Sequence, residues 1–315
     1  MPAQPTTLAR NAGLAALGIL AAAAGARALR QRRPATRKSG AHDATVTSAR
    51  RLNRAAGLIA TSTLLDSGVE HYRGMFHNKA MITPLVVSAL TLAVSAHGLR
   101  DERKFAHRVR DPVYAAAALT GLAGTGFHVY NIGKRPGGFC WQNLFYGSPL
   151  GAPAAVALAG LLGYYSERLR ESRGGKAPRV FHMPAGRALA ALIAVGLVAT
   201  SAEAGLLHFR GAYHDPFMFV PVTVPPIAAA LLAETAATHP HRPRRLTRWW
   251  LRLTALIGFL GAGFHIFGVS RDMGGWRNWS QNILNGPPIP APPSFTGLAL
   301  AGLAALGLIE EHPHA

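Results

Sequence analysis

Cysteine is nearly missing from this chain: Cys140 is the single one among 315 residues. One thiol cannot close an intramolecular disulfide, and it cannot build a multi-cysteine zinc or iron–sulfur site. Acidic residues are also scarce, with 14 Asp and Glu against 33 Lys and Arg and a formal net charge of +19. Charged residues of both signs make up only 15% of the chain, against about 25% in an average soluble domain. Apolar residues reach 49%, which excludes a disordered polyelectrolyte and argues against an ordinary soluble enzyme. HExxH, GxxxxGK(S/T), a GxGxxG after a strand and CxxCH are all absent, so the common metal, nucleotide and haem c signatures are excluded. Two classes remain: a nucleic-acid binder, or a membrane protein whose basic residues collect in loops on one side.

Apolar runs decide between them. A bilayer span needs about 20 mostly apolar residues. Eight stretches qualify, at about 54–73, 81–98, 113–133, 150–166, 187–208, 217–235, 249–269 and 294–310. A ninth, at about 11–29, is Ala-rich and short of large apolar side chains; it fits a span, a surface helix or an uncleaved signal-like segment. The loops 30–54, 100–110 and 168–187 and the region 242–252 hold 24 of the 33 basic residues. The alternate loops 72–80, 134–149, 209–217 and 270–293 hold 7. Alternation of this kind predicts a multi-pass protein of the inner (cell) membrane with its basic loops in the cytoplasm. The charge excess then reflects topology and contact with the lipid bilayer, with no nucleic acid as partner.

The chain also repeats itself. Residues 71–84, HYRGMFHNKAMITP, align with 208–221, HFRGAYHDPFMFVP, at an offset of 137 with six identities in 14 positions. The same offset pairs GLAGTGFH (121–128) with GFLGAGFH (258–265), and Gly137-Gly138 with Gly274-Gly275. After a two-residue insertion Gln142-Asn143 meets Gln281-Asn282 and Pro149 meets Pro288. Chance likeness between apolar segments matches Leu, Ala and Val, whereas these matches fall on His, Arg, Gly and Pro. The expected fold is therefore all-α and polytopic: eight transmembrane helices, or nine with the first segment, in two parallel four-helix repeats. Residues 1–53 form an N-terminal apolar segment and basic linker, 54–166 the first repeat, 167–186 a basic linker and 187–315 the second repeat.

The polar residues that repeat are the candidate site. They are Asp66, His71, Arg73, His77 and His128 in the first half, and Glu203, His208, Arg210, His214 and His265 in the second. All six histidines fall at outward ends of spans or in short outer loops, and the other eight of the 14 histidines lie on the basic side without a matching pattern. At about 1.5 Å per residue Asp66 lies about 7–8 Å deeper than His71, and His71 can share a depth with His128. Gly74 is expected to end the first helix and fold His77 back over it.

Three chemistries use such residues. Three imidazoles and a carboxylate suit a transition metal: copper, iron or zinc. His71 with His128, and His208 with His265, suit axial ligation of haem b, with Arg73 and Arg210 balancing charge. Asp66 and Glu203 suit proton transfer, or a path for an ion. The leading expectation is a membrane-bound oxidoreductase or electron-transfer protein that exchanges electrons with quinone or a periplasmic redox protein. The alternatives are a transporter or channel with its path between the repeats, and a membrane anchor that docks a periplasmic protein through loops 134–149 and 270–293. Each residue also has a plainer reading: an Asp66–Arg73 pair neutralising two buried charges, Met81 and Met218 as core packing rather than thioether ligands, and Trp141, Tyr146, Trp276 and Trp279 as an aromatic belt.

Overall fold

A computed structural model describes residues 41–102, 107–171, 178–180, 182–238 and 244–312. The apolar segment expected at 11–29 lies outside the described residues. Within them the chain is almost wholly helical. The helices are α1 (Ala41–Arg73), α2 (Thr83–Arg100), α3 (Arg110–Gly133), α4 (Trp141–Phe145), α5 (Gly151–Glu171), α6 (Ala185–Arg210), α7 (Val224–Ala237), α8 (Arg245–Arg271), α9 (Trp279–Asn285) and α10 (Pro293–Glu311). Short 3-10 turns lead into α2, α7 and α9. A two-residue antiparallel pair, Arg179–Val180 with Met183–Pro184, closes the connection before α6.

The boundaries follow local chemistry. Pro84 and Pro225 open α2 and α7, where a missing N–H costs nothing. Asn78 and Asp215 cap the preceding turns by accepting from the N–H groups of Ala80 and Phe217. Among the described residues each expected apolar stretch is helical, with 217–235 divided between a 3-10 turn (Pro216–Val222) and the 14-residue α7. One difference lies at 41–53, expected as linker: these residues continue α1 by three turns, because Ala49, Leu52 and Asn53 are buried against neighbouring helices.

Among the described residues five segments are long and apolar enough to cross a membrane: Lys79–Arg100, Ala185–Arg210, Pro216–Ala237, Arg245–Arg271 and Pro293–Glu311. The helices α1, α3 and α5 fall short of that measure. Their sequences are rich in Ala, Gly, Ser and Thr and carry charged groups, and α1 and α5 bury one face against protein. Residues that pack protein against protein need small volume more than hydropathy.

The packing order of the first four long helices is also that of the last four. Helix α1 packs on α2 and α5, and α3 packs on the same two. Helix α6 packs on α7 and α10, and α8 packs on the same two. Glycine sets the closest approaches. A Cβ on Gly160 would sit 2.3 Å from the Ala118 nitrogen, and one on Gly121 2.1 Å from the Ala157 nitrogen. The α3–α5 contact is thus made backbone to backbone. Between the two sets, α10 packs along α1 and α5 touches α6.

Candidate functional site

The repeated residues gather at one end of the helices, which we call the histidine end; the other is the basic end. At the histidine end α1 stops at Arg73, and Gly74, Met75 and Phe76 turn the chain back. Gly74 N–H donates to the Glu70 carbonyl (3.0 Å) and Phe76 N–H to the His71 carbonyl (3.0 Å). Met75 and Phe76 both take left-handed φ values, 54° and 45°. The turn after α6 is built alike: Gly211 N–H donates to Leu207, Tyr213 N–H donates to His208, and Ala212 and Tyr213 have φ of 56° and 46°. Two adjacent non-glycine residues in this region cost about 1–2 kcal/mol each, and such strain concentrates at sites under functional constraint.

Both turns orient histidine. His71 Nδ1 lies 2.6 Å from the Met81 carbonyl, and His208 Nδ1 lies 2.7 Å from that of Met218. On α3 and α8, His128 Nδ1 lies 2.5 Å from the Pro149 carbonyl and His265 Nδ1 lies 2.7 Å from that of Pro288. His77 and His214 fold back over the helix ends, Nδ1 to the carbonyls of Gly74 (3.0 Å) and Gly211 (2.9 Å). A carbonyl oxygen only accepts, so in every case Nδ1 donates. A neutral ring then has its lone pair on Nε2. This is the bonding that orients metal-ligating histidines. His128 is within electrostatic range of His71, and His265 of His208. The rings of His71 and Phe76 meet edge to face at 6.2 Å, as do those of His208 and Tyr213 at 6.1 Å.

The acids behave differently from one another. Glu203 Oε1 accepts from the backbone N–H of Gly151 (3.1 Å), the first residue of α5. A Gly151 Cβ would fall 1.3 Å from Glu203 Oε2, so only glycine leaves room for this cap. Asp66 makes no hydrogen bond or ion pair among the described residues, and lies within electrostatic range of Glu70, Glu203 and Arg73. The Asp66–Arg73 pair of the plainer reading does not form among the described residues. Arg73 instead pairs with Glu70 (2.7 Å) and donates to the Leu284 carbonyl on α9. Arg210 lies over the Phe145 ring on α4, 5.0 Å from its centroid. Each arginine thus reaches from one helix set to the loop helix of the other.

Other candidates settle into structural roles. The methyls of Met81 and Met218 lie 3.1 and 3.0 Å from where a Cβ would stand on Gly74 and Gly211, so both thioethers cover a helix end. Asn143 Nδ2 donates to the Gly138 (2.7 Å) and Pro136 (3.0 Å) carbonyls; Asn282 Nδ2 donates to those of Gly275 (2.9 Å) and Met273 (3.3 Å). These amides hold loops whose glycine pairs, 137–138 and 274–275, take left-handed φ. Trp141, Tyr146 and Trp279 are exposed, and Trp276 borders on it. Among the described residues no group of three or more His, Cys, Asp or Glu side chains is arranged to hold a metal ion.

A charged cluster at the basic end escaped the sequence reading. Arg110 pairs with Glu167 (2.8 Å) and Asp101 (2.8 Å), and the side chains of Arg110, Glu167 and Arg170 are fully buried. Arg170 donates to the carbonyls of Asp101 (2.7 Å) and Gly98 (3.0 Å) and to Asn53 Oδ1 (3.2 Å), while Asn53 Nδ2 donates to Tyr114 (3.0 Å) and Ser166 (2.6 Å). Arg110 and Arg170 had counted as loop charges. The usable signal was the repeat itself: the positions aligned with Asn53, Arg110 and Tyr114 hold Ala190, Thr247 and Leu251.

The fold defines a class: a multi-helix membrane protein with, among the described residues, five helices long and apolar enough to span a bilayer. No protein-family model, no curated protein and no solved structure matches the chain.

Proposed function

We propose that this is an eight-span inner-membrane redox protein, built by duplication of a four-span unit, with its basic loops in the cytoplasm. Each half carries one centre near the outer face. His71 and His128 ligate the first and His208 and His265 the second, with His77 and His214 at the lip. The observation that carries this reading is the shared bonding of the four helix-borne imidazoles. Each Nδ1–H is held by a backbone carbonyl, which leaves Nε2 as a ligand atom. Two imidazoles per pair are the ligand number of a bis-histidine haem b. A lone copper, iron or zinc ion takes further ligands, which His77 and His214 could contribute. Arg210 balances charge at the second centre, Arg73 does so at the first together with its partner Glu70, and Asp66 and Glu203 hold protons nearby.

The visible spectrum and the metal and haem content of the protein, purified from haem-replete cells, test this reading. Two equivalents of haem or metal per chain are expected. His128→Ala and His265→Ala should each remove one, and the double variant both. A folded protein that is colourless and metal-free would overturn it.

A transport reading draws on one observation. Asp66 on α1 and Glu203 on α6, from different halves, lie within electrostatic range of each other. Flux across liposomes that is lost in the Asp66→Asn/Glu203→Gln variant would support that reading, and absence of flux under any imposed gradient would remove it.

A further inference from the structure

Where the end of α1 meets α9, an open pocket of about 470 Å³ is lined by Tyr72, Arg73, Met75, Phe76, Gln281, Leu284 and Asn285. That volume is within the usual range for a small-molecule site, and so is its lining of apolar and aromatic side chains with a few polar groups. Charge selects among ligands. Arg73 is the pocket's one cation, and it is already bound by the Glu70 carboxylate and the Leu284 carbonyl. The Glu70 carboxylate offsets the charge of Arg73, so the pocket carries no net positive charge to select a phosphate. The groups left for a ligand are neutral. Gln281 Oε1 accepts from Asn285 Nδ2 (3.3 Å) and leaves the Gln281 amide N–H groups for an acceptor. The Tyr72 ring is 62% exposed and the Met75 side chain 85% exposed.

A flat ring suits Tyr72, Phe76 and Leu284. Carbonyl acceptors suit Gln281 and the Tyr72 hydroxyl. An apolar tail can leave through the open side into lipid. We propose that this pocket binds the head of a membrane quinone. His71 immediately precedes Tyr72, so the proposal deepens the redox reading by supplying its small-molecule partner. Binding itself does not require that reading to hold.

The test is equilibrium binding of decyl-ubiquinone and of a menaquinone analogue to the full chain in phosphatidylcholine nanodiscs, followed by quenching of Trp fluorescence. One saturable site is expected. Gln281→Leu should weaken it about tenfold. Leu284→Trp should fill the pocket and abolish it, and so should Met75→Trp, whose exposed position keeps the core intact. The His128→Ala/His265→Ala variant, whose rings bond Pro149 and Pro288 rather than any lining residue, should lose the redox centres and still bind quinone, so failure of the redox centres and failure of the pocket can be told apart. Unsaturable partition, full binding in both tryptophan variants, or displacement by added phosphatidylglycerol would each overturn the proposal.

Discussion

Gly151 shows how much one missing methyl group can determine. The Glu203 carboxylate occupies the space a side chain would fill, and accepts the first N–H of α5. Gly151→Ala should force the carboxylate out of its cap. The cost is about 1–3 kcal/mol from overpacking together with the lost cap, read as a fall in thermal midpoint in detergent. Glu203→Gln keeps an acceptor oxygen and should lose less. Ala212 tests the opposite case. It is exposed, has a short side chain and takes φ of 56°. Ala212→Gly should relieve about 1 kcal/mol of backbone strain and raise the thermal midpoint, unless that strain is needed to hold His208 toward the Met218 carbonyl. If the midpoint rises while the bound centre of the second half is lost, the strain serves the site.

At the scale of helices, the apolar runs other than the start of α1 were legible to within a few residues, because a bilayer-length helix demands uninterrupted apolar sequence and its ends demand polar loops. Helix partners were less legible. GLAGTGFH gave no sign that Gly121 is the point where α3 meets the α5 backbone while Gly126 has nothing within 4 Å of its missing Cβ. The spacing of small residues is alike for both. Gly160→Ala should therefore part α3 from α5 and destabilise by about 1–3 kcal/mol, whereas Gly126→Ala should leave stability unchanged or raise it by up to about 1 kcal/mol. Denaturation of the two variants side by side checks the contrast. The candidate histidines were found in the sequence because their pattern recurs at a fixed offset. The cluster around Arg110 and Glu167 was missed for the converse reason. It occurs in one half only, and a buried arginine and a loop arginine are the same letter. Cutting that cluster on one side, by Glu167→Gln, would leave Arg110 and Arg170 buried without their shared carboxylate. Removing one partner of a buried ion pair costs about 3–5 kcal/mol, so this variant should be among the least stable.

For the whole molecule, orientation in the bilayer decides what each proposed site can reach, since both proposed centres and the proposed quinone pocket lie at the histidine end. The scarcity of cysteine supplies the test without engineering. Cys140 is the chain's single thiol, is free, and stands at the start of α4 among the histidine-end loops. In the orientation we propose, with the basic loops in the cytoplasm, that loop lies outside the cell. A membrane-impermeant maleimide added to intact spheroplasts should therefore label the native protein. In a Cys140→Ser background, Arg108→Cys, exposed at the basic end, should be labelled only after the membrane is opened. Labelling in the reverse order would put the histidines on the cytoplasmic side and remove a periplasmic redox protein as electron partner. It would leave the quinone pocket standing, since quinones move between leaflets and reach either face.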